Sequence, residues 1–241
     1  MTKFFTVTII CLCVNGVFSQ SLNGLQVVKK SIEFHDPDGK WATAHLILDL
    51  SETRPNEPDR NTLVEIDNNR GYFNLIRSLN GNSLRYQIQD GICQTFLNDN
   101  PELTNEQIES FNLTCERAEM LRNYYTYLWG MPMKLNDPGT NISKDVVELK
   151  FNEKDSYRVK VTYNEDVGSD TWYFYFNKHD FSLHAYQFYH DESVNDGEYI
   201  MLNDLKKVGR FYLPESRAWY VNKDGKHLGT DNLQNAMIIK E

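Results

Sequence analysis

The chain has few of the residues, and none of the short motifs, that mark the common enzyme classes. Its 241 residues include only four cysteines and six histidines. The histidines do not occur as H-x-H or H-E-x-x-H, so neither a metal site nor a cofactor is predicted. The nucleophile motifs G-x-S-x-G and S-x-x-K are absent, as is a glycine-rich phosphate loop. The sequence therefore offers no motif for serine hydrolysis or nucleotide binding.

Basic residues are outnumbered by acidic ones. Lysine and arginine total 25 against 34 aspartates and glutamates, and the net charge is -9. Such an acidic surface repels phosphate backbones, so a nucleic-acid partner is not expected. Regular alternation of strands with helices is also missing, which argues against doubly wound folds and (β/α)₈ barrels.

Long apolar runs are absent after the N-terminus, so no transmembrane segment is predicted in the mature chain. Residues 1–19 carry one lysine, an apolar stretch from Phe4 to Val14, and Val17 and Ser19 at positions suited to leader peptidase. We predict that residues 1–19 are a cleaved signal peptide. Residues 20–241 are then a single exported domain, periplasmic or secreted.

Export determines how the cysteines are interpreted. Cys11 and Cys13 leave with the signal peptide, so the mature chain keeps Cys93 and Cys115. An even pair in an oxidising compartment predicts a Cys93–Cys115 disulfide. The alternative, a catalytic thiol, needs a histidine beside one cysteine, and the local sequence supplies none.

The mature chain is predicted to be mainly β (α+β). Residues 22–35 form a helix with a capping-box pattern at Asn23, and residues 104–129 form a helical insertion that Asn112–Thr114 divides. Runs such as residues 41–50 and 157–163 alternate with the period of a strand. Turn pairs separate the strands: Asn80-Gly81, Asp90-Gly91, Asp196-Gly197 and Asp224-Gly225. The pattern predicts a curved antiparallel sheet, an incomplete β-barrel, with helices on its concave face.

Aromatic residues are abundant, with 14 Tyr, 13 Phe and 4 Trp. In the strand at 170–176, Trp172 and Phe174 point to one face, while Tyr173 and Tyr175 point to the other. Apolar side chains on both faces indicate that both are partly covered. Two interpretations remain open: a thick aromatic core, or a cavity for an apolar ligand.

Carboxylates are plentiful but scattered along the sequence. Glu198 and Asp231 are candidates to face a cavity, although carboxylates are usually exposed. A polar site built from His35, Asp137 and Glu198 would favour a hydrolase acting on cell-envelope material. This is the main alternative to a binding protein.

Several blocks resemble an uncharacterised family of exported proteins, typical of flavobacteria-like Gram-negative bacteria. The resemblance covers nearly all of the mature chain, and the Tyr-rich block that ends in LWGMPMKL is specific. The family carries no assigned activity. The blocks are residues 31–41 (SIEFHDPDGKW), 124–135 (YYTYLWGMPMKL), 137–140 (DPGT), 170–174 (DTWYF) and 228–231 (LGTD).

The order of elements is similar to that of periplasmic lipoprotein carriers of the LolA/LolB type. Those are incomplete β-barrels whose concave face, partly plugged by helices, shelters acyl chains. The likeness implies a lipid or lipoprotein acyl chain as ligand. The residues expected to line its site are Trp129, Trp172, Phe174, Tyr199 and Trp219.

Together these features predict an exported, non-enzymatic protein that binds an apolar ligand. Its partner would be a lipid or an acylated protein, with peripheral membrane contact. A structural or assembly factor with a protein partner is the third hypothesis. The sequence leaves the oligomeric state open.

Overall fold

A computed structural model describes residues 22–239, so the predicted signal peptide lies outside the described residues. Twelve strands form one antiparallel sheet. They are β1 (His45–Thr53), β2 (Arg60–Asp67), β3 (Tyr72–Leu79), β4 (Asn82–Gln89), β5 (Ile92–Leu97), β6 (Thr140–Phe151), β7 (Lys154–Tyr163), β8 (Thr171–Asn177), β9 (Leu183–Tyr189), β10 (Glu198–Val208), β11 (Phe211–Val221) and β12 (His227–Ile238).

The sheet is two meanders joined in its middle. Its strand order is β5-β4-β3-β2-β1-β12-β11-β10-β9-β8-β7-β6. The first and last strands of the chain therefore pair with each other, and β5 and β6 are the two edges. The sheet is curved and does not close. The predicted fold class is confirmed.

Helix α1 (Gly24–His35) begins at a capping box in which Asn23 and Gln26 each bond the other's backbone N–H. Its buried face carries Val27 and Val28. The helix lies so close to β6 that a Cβ on Gly24 would be 2.0 Å from the carbonyl oxygen of Ser143. Glycine is therefore required where α1 meets the sheet.

The helical insertion is divided as predicted, into α2 (Asn105–Phe111) and α3 (Cys115–Trp129). Thr104 and Gln107 form the capping box of α2. Thr114 caps α3 by accepting the N–H of Arg117. Gly130 follows α3 as its C-cap.

A disulfide joins Cys93 in β5 to Cys115, the first residue of α3, with 5.8 Å between their Cα atoms. The predicted disulfide is thus present. It attaches the beginning of α3 to one edge of the sheet.

The strand predicted to begin at Trp41 starts later. Trp41–Thr43 is a 3₁₀ helix, and β1 begins at His45. The Asp36 carboxylate accepts the backbone N–H groups of Lys40 and Trp41 at 2.9 and 2.8 Å and holds the chain in a turn. The prediction that residues 41–44 belong to the strand was therefore wrong.

The predicted turn pairs fall into two groups. Asn80-Gly81 and Asp90-Gly91 are two-residue hairpin loops with positive φ at both positions. Asp196-Gly197 and Asp224-Gly225 lie in longer loops, before β10 and β12.

Two clusters of buried side chains fill the concave face, and α3 contributes to both. The aliphatic cluster lies over β1–β5 and includes Leu46, Leu48 and Leu50, which alternate along β1. The aromatic cluster lies over β7–β11 beneath α1 and includes Phe174, Phe176, Tyr186 and Trp219. Four of the five predicted lining residues, Trp129, Trp172, Phe174 and Trp219, belong to these clusters or pack on them.

Candidate functional site

A row of charged side chains crosses the concave face over four adjacent strands. The register pairs Arg217 of β11 with Asp231 of β12, Asp231 with Glu52 of β1, and Glu52 with Arg60 of β2. Arg217, Asp231 and Glu52 are each about 1% exposed. Buried charges this close together need partners, and the partners differ along the row.

Glu52 is the best-satisfied member of the row. Its carboxylate accepts hydrogen bonds from the Tyr125 hydroxyl at 2.5 Å and from Thr62 Oγ1 at 2.8 Å. Arg77 Nη2 lies 3.3 Å from the carboxylate and donates to the Tyr125 hydroxyl at 2.7 Å. Burial alone would raise the pKa of Glu52, but Arg77 and these hydrogen bonds outweigh it and lower the pKa. The lowered pKa favours the ionised form of Glu52.

Asp231, directly opposite Glu52, has one strong partner. Arg54 Nη2 donates to Asp231 Oδ1 at 2.8 Å. A Cβ on Gly229 would lie 2.4 Å from Arg54 Cδ, so the glycine makes room for this arginine. Burial raises the pKa of Asp231, Arg54 opposes that shift, and the charge of Glu52 adds to it. The two facing carboxylates thus differ in pKa, which is lowered for Glu52 and raised for Asp231.

Arg217 is the least satisfied member of the row. Its Nη2 donates to the Leu128 carbonyl oxygen at 2.8 Å, and its guanidinium lies 3.4 Å from the Trp129 ring centroid. Its Nε and Nη1 find no hydrogen-bond acceptor among residues 22–239. Burial lowers the pKa of Arg217. The side chain caps the end of α3 with one nitrogen, and its other two nitrogens make no hydrogen bond of full geometry within residues 22–239.

Two more buried donors near Arg217 have no partner within the described part of the chain, the Tyr186 hydroxyl and Trp219 Nε1. Trp219 and Tyr186 lie at the same level of the sheet with one strand between them, because Ile200 of β10 pairs with both. Trp219 is two residues from Arg217 along β11. Tyr186 and Arg217 lie next to each other, and the charge and hydrogen-bonding contact of Tyr186 oppose the burial that lowers the pKa of Arg217.

Four of the five predicted lining residues share the concave side. Trp172, Phe174 and Trp219 belong to the aromatic cluster or pack on it, and Trp129 of α3 lies under Arg217. Side chains of α3 complete the layer: Tyr124 stacks on Trp219 at 5.9 Å between ring centroids, and Tyr127 meets Trp172 edge-on at 5.5 Å.

Tyr199 is separated from the other predicted lining residues. It lies on the convex face, where it stacks on Tyr220 with 5.0 Å between centroids and meets Phe151. Its neighbour Ile200 points into the aromatic cluster instead. Because β10 is apolar on both faces, its sequence does not reveal which face Tyr199 occupies.

The predicted polar residues are not brought together. No hydrogen bond or ion pair within residues 22–239 joins His35, Asp137 or Glu198 to one another. Asp137 forms an ion pair with Lys134, and burial raises the pKa of Glu198 at the start of β10.

His35 has a different role from the one expected. It accepts the Leu183 N–H at Nε2 and meets the Tyr212 carbonyl oxygen at Nδ1, 2.6 Å away. These bonds assign the proton to Nδ1. Burial lowers the pKa of His35 to about 4. The side chain is a neutral bridge from the end of α1 to β9 and β11.

Two hollows open on the surface, away from the aromatic cluster. The hollow of about 330 Å³ is bordered by His45, Asp67 and Tyr72, and the one of about 560 Å³ by Asp38, Lys207 and Tyr212. None of the five predicted lining residues borders either hollow. Over residues 22–239, no three His, Cys, Asp or Glu side chains are grouped to hold a metal ion. None of the helices described is both long and apolar enough to span a bilayer.

The fold is similar to that of LolA-like proteins. A LolA superfamily protein from Nitrosomonas europaea is 11% identical and has a TM-score of 0.56, with 92% of this chain and 96% of that chain covered. A domain assigned as an outer membrane lipoprotein-sorting protein, from Vibrio parahaemolyticus, is 12% identical with a TM-score of 0.53, covering 90% and 94%. A DUF1329 family protein from Desulfovibrio piger is 10% identical with a TM-score of 0.54, covering 90% and 94%.

Residues 2–235 match a family of unknown function, DUF6503, and the chain belongs to this family. The expected membership of an uncharacterised family with a LolA-like plan is confirmed. A comparison by sequence finds no curated protein that matches the chain.

Proposed function

We propose that this protein is an exported carrier that shelters an acyl chain of a lipid or lipoprotein between α3 and the aromatic cluster. The observation that carries the proposal is the aromatic layer between α3 and β8–β11, on a sheet that is open rather than closed. In such a layer each buried CH₂ of a ligand contributes about 0.8 kcal/mol.

The chain enters, in this proposal, when α3 moves away from the sheet. The helix is held at its first residue by the Cys93–Cys115 disulfide and near its last by the Arg217 bond to Leu128. Between these points Tyr124 packs on the sheet, and the Tyr125 hydroxyl bonds Glu52 and Arg77, so the movement must also break those two bonds. Displacement of its C-terminal half exposes Trp172, Phe174 and Trp219 to the ligand.

Export supports the same function. The predicted signal peptide leads to the periplasm or the outside of the cell, where a disulfide such as Cys93–Cys115 persists. The outer membrane lipoprotein-sorting assignment belongs to the Vibrio parahaemolyticus domain. We extend lipid or lipoprotein binding to this chain on the strength of the aromatic layer, with peripheral contact to a membrane during transfer.

Acyl binding is testable with the mature protein and a fluorescent fatty-acyl probe, supported by native mass spectrometry. We expect saturable binding that Trp172→Leu weakens about tenfold or more, because a ring of the proposed lining is lost. Tyr199→Leu is the matched control, since Tyr199 lies on the convex face. Absence of saturable binding, or equal loss in both variants, would contradict the proposal.

A further inference from the structure

The interior carries a set of buried donors that the protein itself does not use. Arg217 Nε and Nη1, Trp219 Nε1 and the Tyr186 hydroxyl have no acceptor within the described residues. Leaving one buried donor unsatisfied typically costs about 1–3 kcal/mol, and more for a charged group. Four such atoms on β9 and β11, on one concave face, are a costly arrangement that calls for an explanation.

We propose that Arg217, Trp219 and Tyr186 form a subsite that binds the carboxylate of an acyl ligand. The inference rests on the proposed carrier function and adds to it the chemistry of the ligand's polar end. A carboxylate is acceptor-only, with two oxygens that each take more than one hydrogen bond. It therefore matches donors that belong to a guanidinium, an indole and a hydroxyl.

The charges around the subsite favour an anion. Four arginines, Arg54, Arg60, Arg77 and Arg217, surround two carboxylates, Glu52 and Asp231. This one group of side chains therefore holds more positive than negative charge, in a protein whose net charge is -9. Asp231, which the register places opposite Arg217, is engaged by Arg54 at 2.8 Å. No ion pair within residues 22–239 neutralises Arg217.

A purely structural role for Arg217 accounts for only part of its surroundings. Its bond to the Leu128 carbonyl and its position over Trp129 stabilise the end of α3, where a cation is favourable. These contacts use Nη2 and the face of the guanidinium. They leave Nε and Nη1 without an acceptor at full hydrogen-bond geometry, although the Tyr186 hydroxyl interacts with the guanidinium, and they do not involve Trp219 Nε1.

The same movement of α3 that admits an acyl chain opens the subsite. Leu128 and Trp129 lie at the end of α3, so their departure frees the guanidinium face and Nη2 as well. The chain then lies along the aromatic cluster, and its carboxylate reaches Arg217 at the border with the charged row. The ligand class is thus a single-chain fatty acid or an acyl compound that ends in a carboxylate.

The test compares palmitic acid with hexadecanol, which share the chain length and differ in the end group. At pH 8 we expect the mature wild-type protein to bind the acid about tenfold tighter or more, the size of one charge-assisted hydrogen bond. Trp219→Phe and Tyr186→Phe each remove one donor and keep an aromatic ring. We expect each to weaken binding of the acid several-fold and to leave the alcohol unchanged.

Arg217→Met should remove the preference for the acid altogether. Tyr175→Phe is the matched control, because its hydroxyl lies on the convex face and bonds Gln187. Equal affinity for acid and alcohol in the wild type would overturn the carboxylate subsite while the carrier function stands. Binding of neither compound would overturn both. Should Arg217→Met fail to fold, the two phenylalanine variants decide the question alone.

Discussion

On the β1–β5 side of the concave face the buried charges form ion pairs, whereas within residues 22–239 Arg217 on the β9–β11 side forms none. Glu52 collects Tyr125, Thr62, Arg77 and Arg60 into one network beneath an aliphatic cluster. Arg217 lies among aromatic rings, and two of its nitrogens make no hydrogen bond of full geometry within the described residues. In the first arrangement the removal of one partner would leave a buried charge uncompensated, and in the second the unsatisfied donors call for an explanation. Under the proposed function, the first side supports the fold and the second recognises the ligand.

The largest effect that tests this comparison is the loss of Arg77. Arg77→Met leaves Glu52 buried without its main positive partner, and breaking such a pair typically costs about 3–5 kcal/mol. Arg217→Met removes a charge that has no ion pair, so we expect a loss below about 2 kcal/mol. Urea unfolding of both variants measures the two free energies. Equal losses would mean that the two arginines have the same structural role.

The second effect concerns the disulfide on the same side of the sheet. In the chain-entropy model, removing a disulfide that closes a loop of this length lowers the free energy of unfolding by about 3 kcal/mol. Cys93→Ala/Cys115→Ala should therefore unfold at a lower urea concentration than the oxidised protein, and its midpoint should not respond to reductant. Reductant should move the wild-type midpoint to that of the double variant. An unchanged wild-type midpoint in reductant would show that α3 is held by packing alone.

The smallest effect belongs to the other side, where His35 joins α1 to β9 and β11. Burial lowers the pKa of His35 from 6.5 to about 4. Between these values the unfolded chain binds a proton that the folded protein excludes, so stability falls as the pH falls. The expected loss from this group is roughly 2 kcal/mol between pH 7.5 and pH 5.

His35→Gln should reduce this pH dependence, although it lowers stability at pH 7.5 through the lost bonds. His184, also with a pKa lowered to about 4 by burial, remains in the variant and accounts for the residual slope. Unfolding free energies at several pH values provide the measurement. An unchanged slope in His35→Gln would contradict the assignment of His35 as a buried neutral bridge.

Features set by neighbouring residues were predictable from the sequence. The capping boxes at Asn23 and Thr104, the division of the insertion at Asn112–Thr114 and the Cys93–Cys115 pair each depend on short patterns or on a pair without alternatives. The curved antiparallel sheet followed from alternation and turn pairs. These signals are local, and the structure retains them.

The charged row was not predictable in the same way, because it depends on pairing between the two ends of the chain. Asp231 meets Glu52 only because β12 pairs with β1. One signal was present: Glu52 continues the alternation of Leu46, Leu48 and Leu50, so a charge falls on an apolar face. Nothing local indicated that Arg217 would find so few acceptors.

The open sheet has one further consequence, which concerns neighbouring molecules rather than ligands. A closed barrel has no free edge, but this sheet has two, and an exposed edge invites pairing with another copy. Edge strand β6 carries Lys144, Asp145, Glu148 and Lys150, and its pairing with β7 is interrupted after Ile142. Charges and irregular pairing of this kind discourage edge-to-edge aggregation.

The other edge is protected by covering instead. The chain folds back after β5 to form a bridge between Leu97 and Asn100, and Thr95 donates to the Leu113 carbonyl in the connection to α3. The disulfide at Cys93 fixes this cover in place. Each edge of the sheet is thereby protected by a different means, and both disfavour edge-to-edge pairing between copies.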